Sequence, residues 1–495
     1  MSNLFRRRTL DSLIAETEEK GHTLKKTLGP VQLIALGIGA IIGAGIFATI
    51  GTAAAGDFQR PGAGPALTLS FVLTAVACAF TALCYAEFSS MAPVAGSAYT
   101  YSYATLGEIV AWIIGWDLML EYAIGNVAVA ISWANYMNTF LAGFGIHLPV
   151  WMTIDYTTAA RKIPEIVAAA PHVLGIPIVF NILAVVIIAL ITVVLVMGVR
   201  TSSRFNAVMV GIKLLVLAFF IIASLKFVRP ENWHPFAPNG FAGIASGAAI
   251  IFFAYIGFDA VSTTAEEARN PQKDMPIGII GSLIVCTILY IVVAAVFTGM
   301  IPFPALRDSL ASEQAEPLTL AMRFAKMPDW SVGLVAFGSV IAHTAVLLVF
   351  QLGQTRIFMA MGRDGLLPPL FARIHPRFQT PHVATILTGI VVGGLSAVTS
   401  LDEMVDLTNI GTLFAFILVC AGIIILRIRE PNRPRPFRVP FGPFLIPILG
   451  ILCCIGLIVY LPPTSWWRFA AWLGVGMIFY FLYGIRHSRA RLEGA

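Results

Sequence analysis

Val31–Gly56 reads VQLIALGIGAIIGAGIFATIGTAAAG, a run apolar enough to cross a bilayer that nonetheless carries glycines at 37, 39, 43, 45 and 51. Glycine inside a helix costs about 0.5–1 kcal/mol relative to alanine. Gly43-Ala44-Gly45 therefore reads as an interruption where backbone N–H and C=O groups leave the helical ladder. Unpaired backbone at membrane depth lines a cavity or a ligand. For one segment alone, close helix approach over small residues is an equal reading.

The surrounding chain has the composition of a polytopic membrane protein. Of its 495 residues 58% are hydrophobic and 12% charged, more apolar material than one soluble core holds. Twelve apolar segments follow one another, near 31–56, 64–90, 107–141, 178–199, 204–227, 240–266, 274–302, 330–360, 381–400, 402–427, 441–462 and 466–486. Most approach or exceed the ~20 residues that a span needs. Residues 1–30 are polar and charged, so no cleavable signal peptide is expected. With the N-terminus inside, 22 of the 32 Lys and Arg fall in inner segments. This predicts cytoplasmic termini and a plasma (cell inner) membrane location, and it explains the net charge of +6 without nucleic acid.

The run from Arg6-Arg7-Arg8 to Lys26 is expected to lie on anionic lipid headgroups as an amphipathic helix, or to trail as a tail. Tyr99, Tyr101 and Tyr103 suit an interface belt. The six cysteines all fall within spans, so neither a disulfide framework nor a metal site is predicted. No catalytic constellation stands out and no cofactor is expected. GIGAIIGAGIF is no dinucleotide loop, because it lies inside a span rather than between strand and helix.

A second interruption changes the weight of the first. Within span 6, GFAGIASGAAIIFFAYIGFDAVSTTAEE (240–267), an aromatic, a glycine and a carboxylate break the apolar run at Tyr255, Gly257 and Asp259. Spans 1 and 6 hold corresponding places in two five-span halves, and paired glycine-interrupted spans point to a transporter with inverted repeats and a midplane site. Half-helix N-termini attract an anion and freed carbonyls accept from a cation, so the site suits a zwitterion.

GAIIGAGIF (39–47), PVAGSAYTYSYATLGE (93–108), FFAYIGFDAVSTTAEEARNPQKDMPIGI (252–279) and GQTRIFMAMGRDGLLP (353–368) resemble the amino acid–polyamine–organocation transporters, most nearly bacterial relatives of the cationic amino acid transporter subfamily. The resemblance implies an all-α membrane protein with the LeuT-type five-plus-five inverted repeat and two added spans. Its parts are a cytoplasmic segment 1–30, repeats 31–227 and 240–427, a linker 428–440, spans 11 and 12 over 441–486, and a tail 487–495. It further implies that backbone N–H groups at Ile42, Gly43, Ala44 and Gly45 hold a substrate carboxylate. Carbonyls at Phe253, Ala254 and Ile256 would take the α-amino group, with Phe253 closing from outside. Ala44 departs from relatives that carry a hydroxyl residue there, which leaves any side-chain contact from that position in doubt.

Charges inside the spans complete the expected site. Lys213 lies about 14 Å into span 5, where a charge is costly and functional by default; it is the candidate proton carrier. Asp117 and Glu121 share one face of span 3 at i, i+4. Asp117 is expected to make a helix-packing hydrogen bond, and Glu121 to face the substrate side chain opposite Phe350 of span 8. Subfamily members that carry arginine or lysine need room for a long side chain beside that acid, and a phenylalanine fills it.

The expectation is an amino acid and proton symporter for small or medium neutral L-amino acids such as alanine, working by alternating access. An amino acid exchanger and a cationic amino acid (arginine or lysine) transporter stay open. A channel or a nutrient receptor is the different-class alternative. Membrane lipids are the other expected partner; a small accessory membrane protein is not legible in the sequence.

Overall fold

The computed structural model describes residues 6–7, 26–92, 94, 97–198, 203–312 and 316–489. The expected surface helix over 6–26 and the turn at 93–97 lie mostly outside the described residues. We label the main helices α1 (Pro30–Ile41), α2 (Gly45–Ala55), α3 (Leu67–Met91), α4 (Glu108–Ala142), α5 (Ile182–Val196), α6 (Ser203–Ser224), α7 (Gly240–Ile251), α8 (Pro271–Met300), α9 (Asp329–Arg363), α10 (His382–Val398), α11 (Leu401–Arg429), α12 (Leu445–Val459) and α13 (Pro463–Phe479). Among the described residues, eight helical stretches are long and apolar enough to cross a membrane, nine when α1 and α2 are joined across a 41° bend. The chain is a multi-pass membrane protein.

Three segments expected to span are shorter than predicted. The α5, α10 and α12 helices have 15, 17 and 15 residues, because the chain leaves the helix before the apolar run is exhausted. Asn181 caps α5, its Oδ1 accepting from the Ala184 N–H at 3.2 Å.

The two interrupted segments cross antiparallel. Where α1 begins and the segment after α7 ends, the chain is stitched across: Thr27 and Leu28 N–H donate to the Glu267 carbonyl, and Arg269 N–H to that of Leu28. Around this crossing α8 packs along α3, and α9 along α4. The α11 helix covers α4 and carries α12.

Each end of the bundle is fastened by buried charge. At one end Arg60 pairs with Asp406 at 2.7 Å and Asp57 at 2.6 Å. At the other, fully buried Glu87 binds Arg427 and Arg435 and accepts from the Val439 N–H, which straps the 430–442 segment to α3. The tyrosines expected in an interface belt are core residues instead. The Ser97–Thr105 helix tucks against α4 and α11, and Tyr101 stacks on Phe88 at 4.8 Å.

Candidate substrate and coupling site

Between α1 and α2 the backbone leaves helical geometry at Ile42, whose ψ is 105°. The Ile42 N–H still donates to the Ile38 carbonyl at 3.0 Å, so it is not one of the free donors that the sequence leads one to expect. Among the described residues, the Gly43 and Ala44 N–H groups have no backbone acceptor. The chain then resumes as a π-turn over Gly45–Thr49, presenting the open N–H groups of a helix start.

The carbonyls freed on the α1 side are claimed by side chains. Lys213 of α6, fully buried, donates from Nζ to Gly39 at 2.6 Å and to Ile42 at 2.9 Å. In an unbroken helix the Gly43 N–H would bond the Gly39 carbonyl; the lysine takes its place. Tyr290 of α8 reaches the Ile41 carbonyl at 3.0 Å and the Ala254 carbonyl at 2.9 Å, sharing one hydroxyl proton between both interruptions.

The α7 side breaks in two stages. A 3-10 turn at Phe252–Tyr255 leads to extended Ile256 and to Gly257 at φ +122°, and a 3-10 helix follows over Asp259–Glu267. Asn409 of α11 donates to the Ala249 and Ile250 carbonyls, and Asp259 accepts from the Gly257 N–H at 3.2 Å. The two breaks touch backbone to backbone. A Cβ on Gly45 would stand 2.1 Å from the Ala254 Cα, and one on Gly257 would stand 2.8 Å from the Ala40 carbonyl.

Phe253 and Ile256 are buried beside this crossing. Glu121 is buried on α4 within reach of Thr412 of α11, with Asp259 and Asp117 as acidic neighbours. Phe350 meets the same helix one turn further on, its ring edge-on to Tyr122 at 5.7 Å and directly over Gly125. The structure therefore unites Lys213 with the α1 break and Gly45 with Ala254, while Glu121 looks toward α11. Asp117 does not make the packing hydrogen bond expected of it. Both its oxygens are buried without a partner among the described residues, beside Gly411.

A cavity of about 610 Å³ opens at the Arg60 end, lined by Ala48, Thr52, Ser132, Asn135, Glu316 and Asp402 among others. None of the expected substrate contacts lines it. Between Gly45 and the cavity residue Ala48 comes Phe47, whose ring packs on Tyr136 and His343. Sequence reasoning misses Tyr290, Asn409 and Tyr136, since a tyrosine or asparagine in an apolar helix gives no sign of which carbonyl it reaches.

A family model described as amino acid permease matches residues 28–481. The chain is 45% identical over 488 residues to the methylthioribose transporter of Bacillus subtilis (strain 168), covering 99% of both chains. It is 46% identical to the branched-chain amino acid permease BcaP of the same organism, over 98% of this chain and 99% of that one. The vacuolar cationic amino acid transporter 4 of Arabidopsis thaliana is 36% identical over 87% of this chain and 68% of its own length.

Proposed function

Because the chain belongs to the amino acid permease family, we propose that this membrane transporter imports a small or medium neutral amino acid such as alanine together with a proton. Counting α5, α10 and α12 as spans gives twelve. The pairings of α1–α2 with α7, α3 with α8 and α4 with α9, each joining corresponding members of the two halves, support two five-span repeats. The excess of Lys and Arg at the Arg435 end supports cytoplasmic termini in a plasma membrane.

The observation that carries the reading is Lys213 bound to Gly39 and Ile42. A cation held on carbonyls of the broken helix ties proton occupancy to the shape of the substrate site. In this reading the substrate carboxylate meets the N–H groups of Gly43, Ala44 and Gly45, and its ammonium meets carbonyls at Phe253, Ala254 and Ile256. The relatives' names include a sugar thioether and branched-chain amino acids; the paired anion and cation groups favour an amino acid.

Purified protein in proteoliposomes tests this. Alanine should accumulate when the outside is acid, with leucine and alanine competing better than arginine or methylthioribose. Uptake that ignores the pH gradient, or competition led by methylthioribose, overturns the proposal.

A further inference from the structure

His343 lies in the middle of α9, fully buried. Its Nδ1 is 2.5 Å from the Ser339 carbonyl, which only accepts, so Nδ1 carries the hydrogen. Its Nε2 therefore offers a lone pair, and the hydroxyl 2.7 Å away on Ser132 donates to it. Ser132 also lines the 610 Å³ cavity. One hydroxyl thus stands between a polar vestibule and a buried base.

The Phe47 and Tyr136 rings pack around the imidazole, 5.6 and 5.7 Å from it and tilted by 46° and 41°. Tyr136, on α4, donates its hydroxyl to the Phe47 carbonyl at 2.6 Å, so the ring cluster is tied to the π-turn that restarts the broken helix. Lys213, buried on α6, belongs to a helix packed directly on α9. Glu316, which lines the cavity, accepts from the Thr139 hydroxyl at 2.6 Å, one turn along α4 from Tyr136.

Resting on the symport reading above, we infer that Ser132 and His343 form the proton entry from the cavity. The Ser132 Oγ–H bond breaks as Nε2–H forms, and a cavity hydronium returns a proton to Oγ. Nδ1 keeps its hydrogen on Ser339, so the product is an imidazolium. Its charge repels the Lys213 ammonium and weakens the hold on Gly39 and Ile42, passing proton arrival to the break.

Ser132→Ala and His343→Gln test this in proteoliposomes. Both should lower acid-driven alanine accumulation at least tenfold, while alanine-for-alanine exchange, which needs no net proton movement, continues. Wild-type accumulation in Ser132→Ala overturns the inference, as does an equal loss of exchange and accumulation, which marks a structural role. Ser132→Ala decides alone if His343→Gln does not fold. If the wild type itself ignores the pH gradient, the symport reading fails first and the relay with it.

Discussion

The Lys213 ammonium sits 2.9 Å from the carbonyl of Ile42, the residue at which the backbone leaves α1. Lys213→Ala strips the donor from two buried carbonyls, each costing about 1–3 kcal/mol when left unpaired. Gradient-driven accumulation should disappear and the thermal midpoint should fall, with alanine still shifting that midpoint upward. A variant that accumulates alanine as the wild type does refutes the coupling role.

Gly45→Val should abolish binding of every amino acid alike. Its side chain would enter the space of the Ala254 backbone, and the carboxylate site proposed there would serve all substrates. Thermal-shift titration with alanine, leucine and arginine checks it; retained binding of any of the three would leave Gly45 with a packing role only.

If the substrate side chain reaches the space that Phe350 fills over Gly125 and Tyr122, Phe350→Ser should raise arginine relative to alanine. Overfilling a dense interior costs about 1–3 kcal/mol, so relief on that scale predicts roughly a tenfold gain or more for arginine. An unchanged ranking in competition uptake shows that Phe350 only packs α9 on α4.

Asp155 caps the short helix Tyr156–Lys162 in the loop after α4, accepting from the Thr158 N–H at 2.7 Å. Burial pushes its carboxyl up to about 6, partly opposed by its bonds to Thr158. The folded state therefore holds the proton more tightly than the unfolded one. Stability from this group is greatest below about pH 3.9, falls as pH rises to about 6, and is level above it. Asp155→Asn keeps the cap acceptor and removes the slope, worth on the order of 2–3 kcal/mol. Its thermal midpoint at pH 7.5 should match or exceed the wild type's, and the difference should shrink toward pH 4.5; a lower midpoint at pH 7.5 contradicts this.

Both interruptions are legible in the sequence because glycine-interrupted runs fall at corresponding places in the two halves, and Lys213 because an ammonium in a span needs acceptors. The resemblance over four stretches carries the family. What the sequence hides is partnership across distance. Nothing local marks Arg60 for Asp406, 346 positions away, or Tyr290 for carbonyls of both breaks. Periodicity says that a residue is buried but not which neighbour it meets, so Glu121 and Phe350 read as facing each other when they meet different partners on successive turns. The α5, α10 and α12 helices read as longer than they are because the apolar runs extend past the helix ends.

The close passage of Gly45 over Ala254 and of Gly257 over Ala40 brings the two breaks together backbone to backbone, with the Tyr290 hydroxyl bonded to a carbonyl of each. At the two glycines, rotamer flips, which take picoseconds to nanoseconds, have no side chain to swing aside. Opening this crossing moves whole half-helices, and such motions run on the order of microseconds to milliseconds. If transport opens this crossing, substitutions far from the ligand that stiffen α1 or α7 should slow every substrate by the same factor.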